Sequence, residues 1–235
     1  MRVGLAAYRF VNGDMAFSLT QMERAMEESR GKVDLLCFGE TFLQGFDALC
    51  WTYERDRDIA ITQDSLTMKR LCEMTLRYGI DLLFGYIERE GEALYSSCAV
   101  IENGQLTHNY RRISKNWKMY DRTDDHYREG EDTTPLRYKG RTIALPLCGD
   151  MWIYPERFHS DDLMIWPVYV NFSLEEWPKY QLEYAEQARL GAPTTLLVNS
   201  ITADSPSHGG AFLFRNGSVE RMLDLDREGI LIVDV

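Results

Sequence analysis

The stretch RTIALPLCGDMWIYPERF, residues 141–158, decides how we interpret this chain. It opens with a short aliphatic and β-branched run, residues 141–147, that is typical of a buried strand. The run ends at Cys148, and Gly149 and Asp150 lead into a turn and a short helix. Open sheets place reactive groups at the carboxyl ends of strands, where N–H groups of the next turn can bind an oxyanion. Cys148 is therefore a candidate nucleophile, although most free cysteines are small buried packing residues.

Two other strand-like runs end in residues that such a nucleophile needs. Residues 33–38 lead to Glu40, and residues 105–113, the third strand of an antiparallel stretch, lead to Lys115. A strand-end glutamate, then a lysine, then a strand-end cysteine followed by one residue and an aspartate resembles the nitrilase (carbon–nitrogen hydrolase) superfamily. The resemblance covers nearly the whole chain and implies a catalytic triad of Glu40, Lys115 and Cys148.

The resemblance also implies a thiol hydrolase of carbon–nitrogen bonds other than peptide bonds. An amidase acting on a small amide through a Cys148 thioester is the expected activity, and nitrile or carbamoyl hydrolysis are the alternatives within the family. Glu40 is expected to act as general base. Lys115 is expected to stabilise the oxyanion, together with the backbone N–H of Gly149. This chemistry uses the substrate and water and needs no cofactor.

Substrate contacts are expected where the chain departs from the family pattern. Many members carry a second glutamate after the lysine, and Asp124 or Asp125 stands in its place here. Gly149 and Trp152 stand near positions where the family often has an aromatic residue and an arginine, and Asn171 follows the strand at 163–170. The surrounding segments are aromatic and acidic, which favours a substrate with an apolar or cationic portion.

The pattern of elements predicts an α/β fold in a single domain, residues 1–235. Strands alternate with amphipathic helices and are interrupted by clear hairpins, which is typical of a mixed sheet with helices outside. Residues 41–63 and 116–134 show no period and are interpreted as loops, the first rich in aromatic side chains. The resemblance adds a second sheet, giving an α-β-β-α sandwich, and a homodimer or higher homo-oligomer formed through the outer helices.

Composition excludes several classes of partner. A formal net charge of −11 and a pI near 4.9 argue against binding to nucleic acid or to an anionic membrane surface. The sequence has no long apolar segment, so we expect a cytoplasmic protein. The five cysteines are an odd number without metal-type spacing, which predicts neither a disulfide framework nor a metal site.

Two rival hypotheses belong to other classes. The first is a Cys–His thiol hydrolase whose base is one of the four histidines, His108, His126, His159 or His208. The second is an inactive family member that binds a small acyl or amide metabolite or serves in an assembly. The altered residues around Cys148 motivate the second hypothesis, and the presence of a glutamate, a lysine and a cysteine at strand ends argues against it.

Overall fold

The computed structural model describes residues 1–203 and 206–235 as two mixed β-sheets with helices outside. The helices are α1 (Met15–Ser29), α2 (Tyr53–Ile59), α3 (Leu66–Tyr78), α4 (Asp150–Ile153) and α5 (Trp177–Ala188), with short 3-10 turns at Phe46–Ala48 and Pro155–Arg157. The strands are β1 (Arg2–Ala7), β2 (Leu35–Cys37), β3 (Asp81–Glu90), β4 (Ala93–Glu102), β5 (Gln105–Arg111), β6 (Leu136–Tyr138), β7 (Arg141–Ala144), β8 (Leu163–Pro167), β9 (Thr194–Val198), β10 (Ile201–Thr202), β11 (Ser207–His208), β12 (Ala211–Arg215), β13 (Ser218–Leu223) and β14 (Gly229–Asp234).

Each large sheet combines parallel and antiparallel pairs. The first has the order β14-β1-β2-β3-β4-β5, and within it β1, β2 and β3 run parallel to one another. The second has the order β13-β12-β9-β8-β7-β6, with β7, β8 and β9 parallel. Strand β14 pairs with β1, and the assignment of residues 1–235 to one domain stays a prediction.

The two sheets pack face to face, and the helices cover their outer faces. The shared core between the sheets contains Leu5 and Leu83 from the first and Ile165 and Leu196 from the second. A second core joins α1 and α3 to the outer face of the first sheet, whereas Trp177 and Tyr184 of α5 pack on the second. The α-β-β-α arrangement predicted from the family resemblance is confirmed.

Local chemistry explains where the outer helices begin and end. The Asp14 side chain accepts a hydrogen bond from Phe17 N (2.9 Å) at the start of α1. The Ser65 hydroxyl accepts one from Met68 N (3.2 Å) at the start of α3. These caps satisfy N–H groups that have no partner within the helix. Both helices bury an apolar, methionine-rich face, as the periodicity of the sequence predicts.

Several elements, including helix α2 and strand β6, were missed by the sequence analysis. Helix α2 lies inside residues 41–63, which had been interpreted as a loop, and it buries only Asp56, so it has no apolar period to detect. The Asp56 carboxylate instead organises the segment, because it accepts hydrogen bonds from Cys50 N (2.9 Å) and Tyr127 Oη (2.7 Å). Strand β6 is only three residues long, too short for a pattern.

The described residues contain no helix that is both long enough and apolar enough to cross a membrane.

Candidate active site

Glu40 reaches the interior because β2 ends three residues before it, between the two sheets. Its backbone N–H donates to Val168 O (3.2 Å) just beyond β8, which ties the two sheets together at this point. The close approach requires glycine at position 85 of β3, since a Cβ there would lie 2.6 Å from Glu40 Cα. The Glu40 side chain is completely buried.

The two carboxylate oxygens of Glu40 have different surroundings. Oε1 accepts hydrogen bonds from Ser96 Oγ and from Arg112 Nη1, both at 2.9 Å. Oε2 is buried and has no hydrogen-bond partner among the described residues. A buried acceptor without a partner costs free energy unless something else binds it. Oε2 is therefore the free position at which Glu40 can receive a proton.

Cys148 follows β7 and lies in a strained backbone conformation. Its φ is +40°, in the left-handed region that non-glycine residues rarely adopt. The conformation is held from β8, because Cys148 N donates to Pro167 O (3.0 Å) and Cys148 O accepts from Trp166 Nε1 (2.9 Å). The thiol is partly exposed and contacts Tyr169 O, with Sγ at 3.6 Å. Strain of this kind is concentrated at functional positions.

The thiol of Cys148 is neutral at physiological pH. Its low-dielectric surroundings and then the negative charge and hydrogen bonding of Glu40 raise the pKa of Cys148 to about 12, while Arg112 acts in the opposite direction. The Glu40 carboxylate therefore acts on the thiol electrostatically. A thiol in this state must lose its proton to a base as it attacks.

The structure corrects the assignment of the cation. Lys115 is exposed, and its Nζ lies 5.7 Å from the centre of the Tyr120 ring rather than beside Glu40. Arg112 occupies the expected place, since its side chain is only 3% exposed and pairs with Glu40 at 2.9 Å. Lys115 contributes its backbone carbonyl, which accepts from Arg112 Nη2 (2.9 Å).

The alternation of side chains along a strand explains why Arg112, and not Lys115, lies beside Glu40. This alternation could be recognised in the sequence. Side chains at i and i+2 of a strand share a face. Tyr110 on β5 packs into the core between the sheets, so Arg112, two residues later, points to the same side. Arg111 points to the opposite side, and Lys115 lies four residues beyond the end of β5.

The guanidinium of Arg112 is held at several points. Nε donates to Ser114 Oγ (2.8 Å), Nη1 donates to Glu40, and Nη2 donates to Lys115 O. Burial would lower the pKa of Arg112, but the charges of Glu40, Cys148 and Asp150 outweigh it and raise that pKa. The cation is therefore permanent at any pH at which the protein folds.

Gly149 makes room for this arginine. A Cβ at position 149 would lie 2.4 Å from Arg112 Nη2 and 3.2 Å from Ser114 Oγ, so any side chain would displace the guanidinium. The Gly149 N–H donates no hydrogen bond within residues 1–203 and 206–235. It remains available to a ligand at Cys148.

Asp150 locks the cysteine turn to the segment that carries Arg112. Its buried carboxylate accepts from Leu147 N (2.8 Å) on one side, and from Ser114 N (2.8 Å) and Tyr110 Oη (2.5 Å) on the other. Burial raises the pKa of Asp150, partly offset by hydrogen bonding from Tyr110 and by the charge of Arg112. One carboxylate thus fixes the nucleophile and the cation relative to each other.

The remaining predicted substrate-binding residues, Asp124, Asp125, Trp152 and Asn171, are all exposed. Asp124 and Asp125 are exposed, and Asp124 is engaged by the backbone N–H (3.0 Å) and ring (2.9 Å) of His126. Trp152 is 41% exposed and packs on the Tyr184 ring at 5.0 Å, and Asn171 is exposed. Their roles stay predictions.

Glu129 is an acidic residue that the sequence analysis did not consider. It binds Lys118 Nζ at 3.3 Å and accepts a hydrogen bond from Tyr120 Oη. Glu129 also lines a polar cavity on the edge of the first sheet.

The histidines lie elsewhere. His126, His159 and His208 contact the carboxylates of nearby aspartates at 2.9, 3.1 and 2.7 Å. His108 lines that same polar cavity, of about 540 Å³, on the edge of the first sheet. In the part of the chain that the structure describes, no histidine contacts the Cys148 thiol, so the Cys–His hypothesis has no support from the geometry.

Comparison with known proteins places this α-β-β-α sandwich among the carbon–nitrogen hydrolases. The model of the carbon-nitrogen hydrolase family matches residues 2–198, and the chain belongs to that family. The predicted superfamily is confirmed.

Individual relatives are distant. The chain is 27% identical over 158 residues to a glutamine-dependent NAD(+) synthetase from Thermotoga maritima, covering 65% of this chain and 26% of that one. It is 23% identical over 151 residues to an (R)-stereoselective amidase from Pseudomonas sp., covering 64% and 52%. Among solved structures, a mutant amidase from Nesterenkonia sp. AN1, with the acetamide moiety of fluoroacetamide on its active-site cysteine, superposes with a TM-score of 0.79. That match has 20% identity and covers 100% of this chain and 90% of the amidase. The chain therefore spans about a quarter to a half of the curated relatives named here.

Proposed function

We propose that this protein hydrolyses the carbon–nitrogen bond of a small amide through a thioester on Cys148. The observation that carries the proposal is the buried ion pair between Arg112 Nη1 and Glu40 Oε1 (2.9 Å), which leaves Glu40 Oε2 free beside a protonated thiol. We choose an amide because amide hydrolysis is the commonest activity that the family resemblance implies; the relatives include an (R)-stereoselective amidase and two nitrilases.

The first half of the reaction forms the thioester. Glu40 Oε2 takes the thiol proton as Cys148 Sγ attacks the carbonyl carbon, which generates a tetrahedral oxyanion. An unused N–H of the Arg112 guanidinium and the N–H of Gly149 stabilise this oxyanion. Glu40 then returns the proton to the nitrogen, the C–N bond breaks, and ammonia or an amine departs.

The second half restores the enzyme with water. Glu40 accepts a proton from a water molecule, which attacks the thioester carbonyl, and the same donors stabilise the second oxyanion. Collapse of this intermediate releases the carboxylic acid and returns the proton to Cys148. Only protein groups, substrate and water take part.

The backbone carbonyl that contacts Cys148 Sγ belongs to Tyr169. The Tyr169 ring is buried in the second core and stacks on Phe46 with centroids 4.7 Å apart. An apolar portion of the substrate stays an expectation from the aromatic composition of residues 41–63.

We also propose that copies of the chain pair through α4 and α5. Ile153, Leu182 and Leu190 on this outer surface are 42%, 60% and 49% exposed. Apolar side chains grouped on a surface favour burial in an interface. Light scattering at several protein concentrations measures this, and a monomer throughout would contradict it.

The alternative is that the site binds an acyl compound without turnover, because an arginine stands beside Glu40 where the family resemblance implied a lysine. A permanently charged, hydrogen-bonded guanidinium is less adaptable than a lysine ammonium, and this observation is what favours the alternative.

Mass spectrometry and ammonia release separate the two. We expect a panel of small amides to yield ammonia and, after acid quenching, an acyl group on Cys148, and Cys148→Ala to yield neither. An inert panel with measurable binding would favour the alternative. Ammonia release that survives in Cys148→Ala would remove the proposed nucleophile.

A further inference from the structure

A second cluster of a glutamate, a serine and an arginine lies on the opposite face of the sheet from the proposed site. Its centre is the carboxylate of Glu88 on β3, which is completely buried. Glu88 accepts hydrogen bonds from Arg111 Nε (2.8 Å) and Nη2 (2.7 Å) and from Ser97 Oγ (2.6 Å). Asn109 Nδ2 (2.9 Å) and Gln63 Nε2 (2.7 Å) complete the set.

The two clusters are related by single steps along the chain. Ser96 and Arg112 bind Glu40 on the inner face, and their neighbours Ser97 and Arg111 bind Glu88 on the outer face. Strands β4 and β5 pair Ser97 with Arg111, and Arg112 N donates to Ser96 O (2.9 Å). Adjacent residues of a strand are 3.8 Å apart at Cα and point to opposite faces. A shift of the outer cluster therefore moves the inner one.

Strand β5 needs such an anchor. It is the last strand of its sheet and shows a register irregularity against β4 between Val100 and Ile101. An edge strand lacks a full partner on one side, so backbone pairing restrains its end less. Glu88 compensates by tying β3, β4 and β5 together through side chains.

The charge on Glu88 is stable in this position. Burial alone would raise its pKa, but the hydrogen bonds from Arg111, Ser97, Gln63 and Asn109 outweigh burial and lower it. The carboxylate is thus ionised and neutralises Arg111, which would otherwise stand as a second positive charge next to Arg112. Arg111 is further fixed by stacking over the Tyr95 ring at 4.2 Å.

We propose that Glu88 and Arg111 are positioning residues that hold the Arg112 guanidinium against Glu40 from the opposite face of the sheet. The inference rests on the proposed function, in which Arg112 stabilises the oxyanion. Glu88 contacts neither the substrate nor the thiol. It acts through the chain links from Ser97 to Ser96 and from Arg111 to Arg112.

The principal test is Glu88→Gln, which keeps the volume but directs an amide N–H₂ at the donors of Arg111. Small displacements of a catalytic group by remote substitutions can cost about 100-fold in rate. We expect kcat for an amide substrate to fall on that scale with little change in KM. Arg111→Lys keeps the charge but loses the two-pronged contact, and it tests the same link if Glu88→Gln folds poorly.

Alkylation of Cys148 by iodoacetamide provides a readout that needs no turnover. Arg112 lowers the pKa of Cys148, so its displacement leaves less thiolate and slows alkylation at a fixed pH above neutrality. An uncompensated Arg111 charge acting only through space would have the opposite effect. Slower alkylation is therefore specific to a displaced Arg112.

Two matched controls address general destabilisation. Glu90→Gln removes the other carboxylate that pairs with Arg111, 2.9 Å from Nη2, but Glu90 is 62% exposed. Tyr86→Phe removes the hydrogen bond from Tyr86 Oη to Asn109 Oδ1 (2.8 Å) on the same face without touching Glu88. We expect both to leave kcat and the alkylation rate within about twofold of the parent.

A double-mutant cycle decides the outcome. In an Arg112→Met background, Glu88→Gln should not slow alkylation further, because the group that it positions is gone. Two outcomes would overturn this inference but not the proposed function. One is equal slowing of alkylation in both backgrounds, and the other is a pair of folded proteins, Glu88→Gln and Arg111→Lys, with parental rates. An Arg112→Met protein with parental turnover would instead refute the proposed role of Arg112, and the inference with it.

Discussion

Replacing Arg112 by methionine, with Lys115→Met as its matched control, tests the central assignment of the site. Both substitutions remove one positive charge, and the two residues are three positions apart in the sequence. Their surroundings differ: Arg112 is 3% exposed and paired with Glu40 at 2.9 Å, whereas Lys115 is exposed with Nζ 5.7 Å from the Tyr120 ring centre. The effects on rate and on stability should therefore diverge.

The magnitudes follow from these contacts. Loss of one oxyanion donor costs about 2.7–4 kcal/mol, or roughly 100-fold to 1,000-fold in kcat. Breaking a buried ion pair from one side costs about 3–5 kcal/mol of unfolding free energy, because Glu40 is left buried and unpaired. An exposed lysine away from such features changes the unfolding free energy by less than about 0.5 kcal/mol.

Ammonia release measures the rate, and urea unfolding measures the stability. Arg112→Lys provides an intermediate case, since it keeps a charge near Glu40 but cannot reproduce the bonds to Ser114 Oγ and Lys115 O together. We expect its kcat to lie between those of the parent and of Arg112→Met. An inactive Lys115→Met enzyme beside an active Arg112→Met enzyme would refute the assignment and restore the one made from sequence.

Three further predictions concern the other groups of the site. Cys148→Ser should abolish turnover and leave the fold intact; ammonia release that survives in a folded Cys148→Ser protein would point to another nucleophile. Glu40→Gln should lower kcat by at least about 100-fold while substrate binding survives, as equilibrium binding to a Glu40→Gln protein can verify. Gly149→Ala should lower both kcat and the urea midpoint, because its Cβ would lie 2.4 Å from Arg112 Nη2, and a fully active, equally stable variant would argue against the steric role of glycine.

The sequence predicted the strands and the outer helices because the strands are apolar and the helices are periodic, and the family resemblance supplied the second sheet of the sandwich. Residues 15–29 and 66–78 carry capping residues and buried methionine stripes, so both helices were predictable. Helix α2 was not predictable, since its buried group is the Asp56 carboxylate. This carboxylate accepts hydrogen bonds from Trp51 N and from Tyr127 Oη, and Tyr127 lies 71 positions away from Asp56. Contacts of that kind leave no local pattern.

The site was predictable in part, because two of its residues follow apolar strands. Glu40 and Cys148 directly follow apolar strands, and the structure brings them together as expected. The cation was assigned to Lys115 because the family resemblance implied a lysine, although the alternation along β5 favoured Arg112. The assignment of the cation gave more weight to the residue type that the family uses than to the alternation of side chains along β5. Ser96 and Glu88 could not be found from sequence, since their roles depend on the register between β3, β4 and β5.

The electrostatics of the site distinguish it from thiol hydrolases that hold a preformed thiolate. A thiol–imidazole pair stores the proton on histidine before the substrate arrives. Here the pKa of Cys148 is raised to about 12, so the proton stays on sulfur until attack. Glu40 uses Oε1 for Ser96 and Arg112 and keeps Oε2 unpartnered among the described residues, which suits transfer of that proton as the C–S bond forms. In the proposed mechanism the charge on Arg112 stabilises the oxyanion without a titration of its own, because a guanidinium stays protonated throughout the working range of pH.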